Sequence, residues 1–276
     1  MNVSHPEILD AVRRALAEDI GSGDITTNLC VPADAMATGR MFARQSLTLA
    51  GIELLPLIFA DCSVRLHHRS GARLDAGVEA ACVSGPCRTQ LTGERTALNF
   101  VQRLSGVATL TSACVRAVEG TGCRVLDTRK TTPGLRRLEK MAASAGGAVN
   151  HRMGLYDAVL IKNNHIAAAG GVRSALERTR RGAPPEIEIE IEIRTRAELD
   201  EALSCGAAHL LLDNLAPYDA RQWIAYIASR ATVELSGGIT LATVRAYAET
   251  GADFVSCGAL THSAPAADLN FRLDPG

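Results

Sequence analysis

The sequence predicts an α/β protein in two parts: a small α+β domain with an antiparallel sheet, then a longer stretch of parallel strands alternating with helices. Three observations carry this. Strand-like segments near 37–44, 64–68 and 78–83 are separated by glycine and polar turns, with no regular helix between them. From residue 123 the rhythm changes. Apolar or alternating runs at 123–127, 158–162, 187–193, 209–213, 232–235 and 253–257 are interleaved with helical patterns at 135–145, 172–180, 195–205, 217–229 and 241–250. Such alternation implies parallel strands, hence a β/α barrel or a doubly wound sheet. Lastly, chemically capable residues fall at or just past the C-terminal end of each run. That favours the barrel, whose strand ends converge on one active face.

The remaining elements follow from local signals. Ser4-His5-Pro6-Glu7 reads as a capping box with proline in the first helical turn. Ile8, Leu9, Val12 and Leu16 then recur at helical spacing, and Gly21 stops the helix. A second helical stretch runs from about 91 to 119 and is expected to break near Ser105-Gly106. Thr195 and Glu198 form another capping box, and Gly206 and Gly251 stand where helices should end.

Composition narrows the function. The 276 residues carry a formal net charge of -1, with 4% aromatic residues, so neither a basic stripe nor a stacking platform for nucleic acid is present. There is no signal-peptide pattern, and no apolar run approaches the roughly 18 residues of a membrane span, so a cytoplasmic protein is expected. The eight cysteines, at 30, 62, 82, 87, 114, 123, 205 and 257, form no C-x-x-C pair. Buried thiols in a reducing compartment account for them better than zinc or a dithiol.

Against that near-neutral background, Arg129, Lys130, His151, Arg152 and Lys162 cluster around glycines and strand ends. Such a concentration suits a small polyanion, a phosphosugar or a dicarboxylate, although a solvated basic face would look similar. In Ile187–Ile193 isoleucine and glutamate alternate strictly, so the three carboxylates share one face. Left unpaired in a barrel they would be costly. A lumen position near Lys162, Arg129 and a metal resolves this, with Glu192 favoured over Glu188 and Glu190 as nearest the C-terminal end. Asp213 ends an apolar strand; it reads either as a helix cap or as a ligand to Mg²⁺ or a ribose hydroxyl. The loops at 235–240 and 257–263 have small residues that let backbone N–H groups approach phosphate. Arg95 reads as a helix-surface residue able to pair with Glu94 or Glu119. Neither a P-loop nor a dinucleotide fingerprint is present.

The strings D-T-R-K-T-T-P-G-L-R, N-H-R-M-G-L-Y-D-A-V-L-I-K-N-N-H-I, L-L-D-N, S-G-G-I-T and G-A-L-T-H-S resemble the bacterial quinolinate phosphoribosyltransferase family (nicotinate-nucleotide pyrophosphorylase, carboxylating). So do L-A-E-D-I-G-S-G-D-I-T-T and L-T-G-E-R-T-A-L-N-F nearer the start. The resemblance runs in order over essentially the whole chain. It implies the type II phosphoribosyltransferase architecture: an N-terminal α+β sandwich domain (1–106), an incomplete β/α barrel (107–264) and a C-terminal tail (265–276) packing back on the first domain. It also implies a homodimer or hexamer with shared active sites.

The implied reaction joins quinolinate to 5-phosphoribosyl-1-pyrophosphate, giving nicotinate mononucleotide, pyrophosphate and CO₂ in NAD biosynthesis, with Mg²⁺ and no organic cofactor. By resemblance, Arg129, His151 and Arg152 hold the quinolinate carboxylates, helped by Arg95 from a partner subunit. Lys130 and Lys162 lie at the centre of the site, and Lys162 also contacts substrate. Glu192 and Asp213 serve ribose and Mg²⁺. Ser236, Gly237, Gly258 and His262 hold the 5-phosphate. Two positions depart from the family pattern: Asn163, where Asp or Glu is usual, and Cys257, where an apolar residue is usual. A paralogue of the same fold, found with molybdenum-uptake genes, and a non-catalytic anion sensor are the alternatives.

Overall fold

Pro6 opens α1 (Pro6–Ile20) because its missing N–H costs nothing in the first helical turn. The N-cap is His5 rather than Ser4: the His5 Nδ1 accepts the Glu7 N–H at 3.2 Å. Gly21, at φ +53°, ends the helix. In the computed structural model, which describes residues 3–275, the chain forms two units, each discontinuous in sequence. The first runs through Ser112 and takes in Thr131–Gly147 and the residues from Ser263 onward. The second is Ala113–Lys130 with Ala148–His262.

In the first unit α1 is followed by α2 (Ile25–Cys30), capped by Asp24, and by β1 (Met36–Ala43). Then come β2 (Leu47–Thr48), α3 (Leu55–Ile58), β3 (Ser63–Leu66), β4 (Arg73–Leu74) and β5 (Glu79–Pro86). With the last strand of the chain, β12 (Leu269–Pro275), β1, β5 and β3 build an antiparallel sheet in the order β12-β1-β5-β3, while β2 and β4 pair separately. Every second residue of β1 is buried, the signature of a sheet with one dry face. Phe59 and Phe271 stack over that face at 5.7 Å between ring centroids.

The long helix α4 (Cys87–Ala117) corrects one expectation: it is continuous through Ser105-Gly106. Its Ser105 Oγ accepts the Ala50 N–H at 3.0 Å and donates to the Ala50 carbonyl at 3.2 Å. A Cβ on Gly106 would lie 2.0 Å from the Pro265 carbonyl oxygen. The small residues therefore admit neighbouring backbone and do not interrupt the helix. Gly106→Ala is expected to destabilise the fold by about 3 kcal/mol, the upper range for overpacking a tight contact. A urea midpoint equal to that of the parent would contradict this.

The second unit is built on six parallel strands: β6 (Arg124–Leu126), β7 (Val159–Ile161), β8 (Ile189–Ile193), β9 (His209–Asp213), β10 (Thr232–Ser236) and β11 (Phe254–Ser256). Their hydrogen-bonded order is β6-β11-β10-β9-β8-β7. Among the described residues no ladder joins β6 to β7, so the sheet is open at that seam. Helices α6 (Asn163–Ala169), α7 (Val172–Gly182), α8 (Arg196–Ser204), α9 (Pro217–Ile227) and α10 (Val244–Ala248) connect the strands, and α11 (Ala259–His262) follows β11. The helix after β6 is the exception to simple alternation. Helix α5 (Arg136–Ala145) groups with the first unit, where its fully buried Glu139 accepts two N–H groups of Arg103, at 2.8 and 3.0 Å. The capping box of α8 forms as expected, Thr195 and Glu198 each binding the other's backbone. Among the described residues no helix is long and apolar enough to cross a membrane.

Candidate active site

A cavity of about 470 Å³ lies at the C-terminal ends of the parallel strands, wholly within the second unit. Each strand delivers to it by ending there. Arg129 and Lys130 follow β6 and Lys162 follows β7. Glu192 and Arg194 come from the end of β8, Asp213 and Asn214 from β9, Ser236 and Gly237 from β10, and Gly258 and His262 follow β11. His151 and Arg152 enter from the segment before β7. Of the residues to which the family resemblance gives a site role, all but Arg95 line this cavity. Arg95 is an exposed residue of α4 in the first unit, where its charge acts on Glu94, whose own pKa is raised by burial.

Buried aspartate shapes the cationic wall. Asp127, fully buried just after β6, accepts the His151 N–H at 2.8 Å and the Asn150 Nδ2 at 2.6 Å. Asp157 accepts the Met153 and Gly154 N–H groups, closing the next turn. These contacts fix the backbone that carries Arg152. Its guanidinium donates to the Ala158 carbonyl at 3.2 Å, yet its Nε is buried without a hydrogen-bond acceptor, and so is the Nε of Arg129. Burial, and then the charge of Arg129, pull the Arg152 pKa below its usual value. Two guanidinium groups thus face each other's field with donors unmatched, a cost that an anion in the cavity would remove.

His151 faces two carboxylates, its Nε2 lying 3.2 Å from Glu190 Oε2 and 3.4 Å from Glu234 Oε2. Burial opposes a charge on the ring, but hydrogen bonds to Glu190 and Glu234 prevail and push its pKa up to about 10. The Arg152 N–H, however, donates to His151 Nδ1 at 2.7 Å, a position an imidazolium would need for its own proton. Burial raises Glu190 as well. A neutral ring with its proton on Nε2, beside one protonated carboxyl, has the same total charge and satisfies both observations. The three ligand atoms lie within 4.8 Å of one another, close enough to share that proton.

The folded cluster binds this proton more tightly than a free imidazole of pKa 6.5. Its stabilisation is full below about pH 6.5 and is lost as pH rises through about 10. Unfolding free energy measured from pH 8 to 10.5 should therefore fall more steeply in the parent than in Glu190→Gln. Parallel slopes would refute the shared proton.

The acidic wall departs from expectation in its partners. Glu192 shares the cavity with Lys162 and Arg129, as the sequence predicts, but its ion-pair partner is Arg194. One nitrogen, Arg194 Nη2, lies 2.8 Å from Glu192 Oε1 and 3.1 Å from Asp213 Oδ2. The second contact is a hydrogen bond, whereas the first is off the hydrogen-bonding angle and leaves Glu192 Oε1 buried without a donor. Asp213 also accepts from Asn214 Nδ2 at 2.7 Å. Asp213 is no helix cap, since the N-cap position of α9 falls at Ala216 and no side chain caps it.

The glycine loops are tight. Gly237 takes φ +106°, and a Cβ there would meet Asn214 Oδ1 at 2.3 Å. A Cβ on Gly258 would meet Lys130 Cδ at 2.9 Å and His262 Nε2 at 3.2 Å. Thr261 Oγ1 holds the Lys130 carbonyl at 2.8 Å. Cys257 is buried beside Cys114; their thiol hydrogen bond lowers the Cys257 pKa and raises that of Cys114.

A second cavity, about 270 Å³, reaches the same cluster from the strands' N-terminal side, past His209, Thr232 and Phe254. It shares His151, Arg152 and Glu234 with the first cavity and is where exposed Glu188 lies.

Comparison with known proteins agrees along the whole chain. The quinolinate phosphoribosyl transferase N-terminal domain matches residues 24–105 and the C-terminal domain of the same family matches 107–272. A nicotinate-nucleotide pyrophosphorylase (carboxylating) of Mycobacterium leprae is 43% identical over 274 residues, covering 96% of each chain. A probable enzyme of that name from Bacillus subtilis is 38% identical, covering 98% of this chain and 95% of its own. The crystal structure of NadC from Streptococcus pyogenes superposes with a TM-score of 0.94 at 37% identity, covering 100% of this chain and 99% of that one. On these matches, and with this fold, the chain is a member of the quinolinate phosphoribosyltransferase family.

Proposed function

We propose that the protein transfers the phosphoribosyl group of 5-phosphoribosyl-1-pyrophosphate to quinolinate with loss of CO₂, forming nicotinate mononucleotide and pyrophosphate in NAD biosynthesis. The observation that carries this reading is the pair of buried, acceptor-less Nε groups on Arg129 and Arg152 in one cavity. Two planar cations suit a ligand with adjacent carboxylates. His151 and, from a second copy in a homodimer or hexamer, Arg95 complete the dicarboxylate clamp. A cytoplasmic location fits reduced thiols and small soluble substrates.

The chemistry then divides between the walls. Ser236, Gly237, Gly258 and His262 hold the 5-phosphate, with the glycine backbones close enough to donate N–H groups. Lys130 and Lys162 offset charge on the departing pyrophosphate. As the glycosidic bond breaks, C1 of the ribose gains oxocarbenium character, which the Glu192 and Asp213 carboxylates stabilise. Quinolinate nitrogen takes up C1, and the resulting ring cation draws the electron pair left at C2 when CO₂ departs. Arg129 and Arg152 orient the carboxylates and hold water away from that carbon until it is protonated.

The carboxylate pair also fits a hard divalent ion: Glu192 Oε1 is a buried acceptor without a donor, and magnesium favours one or two carboxylates together with substrate phosphates. Glu192 and Asp213 would hold Mg²⁺, which supplies charge neutralisation for pyrophosphate when bound.

The test is an endpoint assay with quinolinate, phosphoribosyl pyrophosphate and Mg²⁺, following nicotinate mononucleotide by chromatography with nicotinate as a parallel acceptor. Product from quinolinate alone, dependent on Mg²⁺, is expected. Saturable quinolinate binding without turnover would instead favour an anion sensor.

A further inference from the structure

Arg194 stands out because it neutralises two carboxylates with one nitrogen and does so imperfectly. Its Nη2 bonds Asp213 but meets Glu192 off-angle, so the more buried carboxylate keeps an unsatisfied oxygen. Two carboxylates and one guanidinium leave the group a net single negative charge, unfavourable to an arriving diphosphate. The backbone of Arg194 is fixed, its N–H donating to Glu198 Oε2 at 2.8 Å. Its side chain is 46% exposed, against 8% for Glu192 and 15% for Asp213. The carboxylates are therefore the buried side of the group and the guanidinium its solvent-facing side.

We propose that Arg194 is the resident counter-ion of Glu192 and Asp213 in the free protein, and exchanges them for the diphosphate of the incoming phosphoribosyl donor, releasing both carboxylates to a divalent cation. The inference rests on the substrate and metal reading given above. Charge is conserved sensibly by the exchange: two carboxylates meet a dication, and the guanidinium meets an anion it pairs with in bidentate fashion. Arg194 thus serves the carboxylates in the free protein and the diphosphate once the donor is bound. Without the diphosphate, a metal ion must displace the guanidinium and leave it without an anion. Metal binding to the free protein is thereby weakened, and metal and phosphoribosyl donor become thermodynamically coupled.

The test is Mn²⁺ binding to the substrate-free protein, read from the free-ion signal in electron paramagnetic resonance. Arg194→Gln should bind Mn²⁺ at least tenfold more tightly than the parent, and Arg194→Lys, which keeps the charge, should bind like the parent. The gain should vanish in the triple variant Arg194→Gln with Glu192→Gln and Asp213→Asn. Thermal melts verify that each variant is folded. Equal Mn²⁺ affinity in Arg194→Gln and the parent overturns the proposal, and so does a gain that survives loss of both carboxylates. Turnover by the parent with Mg²⁺ or with a chelator reports separately on the metal reading: metal-dependent turnover with no gain in Arg194→Gln sinks the exchange alone.

Discussion

Arg152→Ala should raise the KM for quinolinate by 100- to 1000-fold while leaving the protein at least as stable as the parent. The first half follows from removing one partner of a desolvated charged contact, about 2–5 kcal/mol in comparable cases, at about 1.4 kcal/mol per tenfold. The second follows from the free protein. There the Arg152 Nε has no acceptor and the neighbouring Arg129 charge disfavours its protonated form. Removing it relieves repulsion and desolvation, so the melting temperature should hold or rise. Arg129→Ala should behave alike, since its Nε is also buried and unmatched. Steady-state kinetics and a thermal melt on the same samples suffice. A variant with a parental KM loses its assignment as a carboxylate ligand, and one that melts much lower shows that the guanidinium supports the fold.

Gly237→Ala should produce the opposite selectivity. The added methyl would strike Asn214, at 2.3 Å from Oδ1 and 2.8 Å from the backbone nitrogen, and φ +106° strains any residue with a Cβ. Such strain costs about 1–3 kcal/mol before the clash is relieved. Asn214 cannot give way freely, because its N–H donates to the Ser236 carbonyl at 2.9 Å and its side chain supports Asp213. The KM for phosphoribosyl pyrophosphate is expected to rise about 100-fold, with quinolinate affinity in calorimetry within a few fold of the parent. Equal losses for both ligands would mean that the loop supports the entire cavity rather than its phosphate end.

Periodicity and strand ends made most of the second unit legible. The run His209–Asp213 is apolar up to its terminal carboxylate and forms a strand with those bounds. The cations after β6 and before β7 converge as a parallel sheet requires. What sequence left hidden were pairings between strands. Glu234 sits in a buried strand, and only the fold brings its carboxylate against His151. Its one available signal was a carboxylate inside an otherwise apolar run. Arg194 was masked by the capping box that begins at the next residue, and its meaning depends on β9 lying beside β8. Ser105-Gly106 hides its role for a related reason: serine and glycine lower helix propensity locally, whereas the Pro265 carbonyl that requires the glycine is remote in sequence. Cys114 and Cys257 likewise meet only through the fold.

The alternation in β8 also limits how this protein can change length. Glu190 meets His151 and Glu192 meets Arg194 because they are two residues apart on one face, with Ile191 and Ile193 buried on the other. Inserting or deleting one residue between them would turn one carboxylate outward and an isoleucine inward. A two-residue insertion would restore the facing but move Glu192 by about 6–7 Å, beyond Asp213. Length variation in descendants of this sequence should therefore spare β8 and collect in the connections, where parity carries no chemistry.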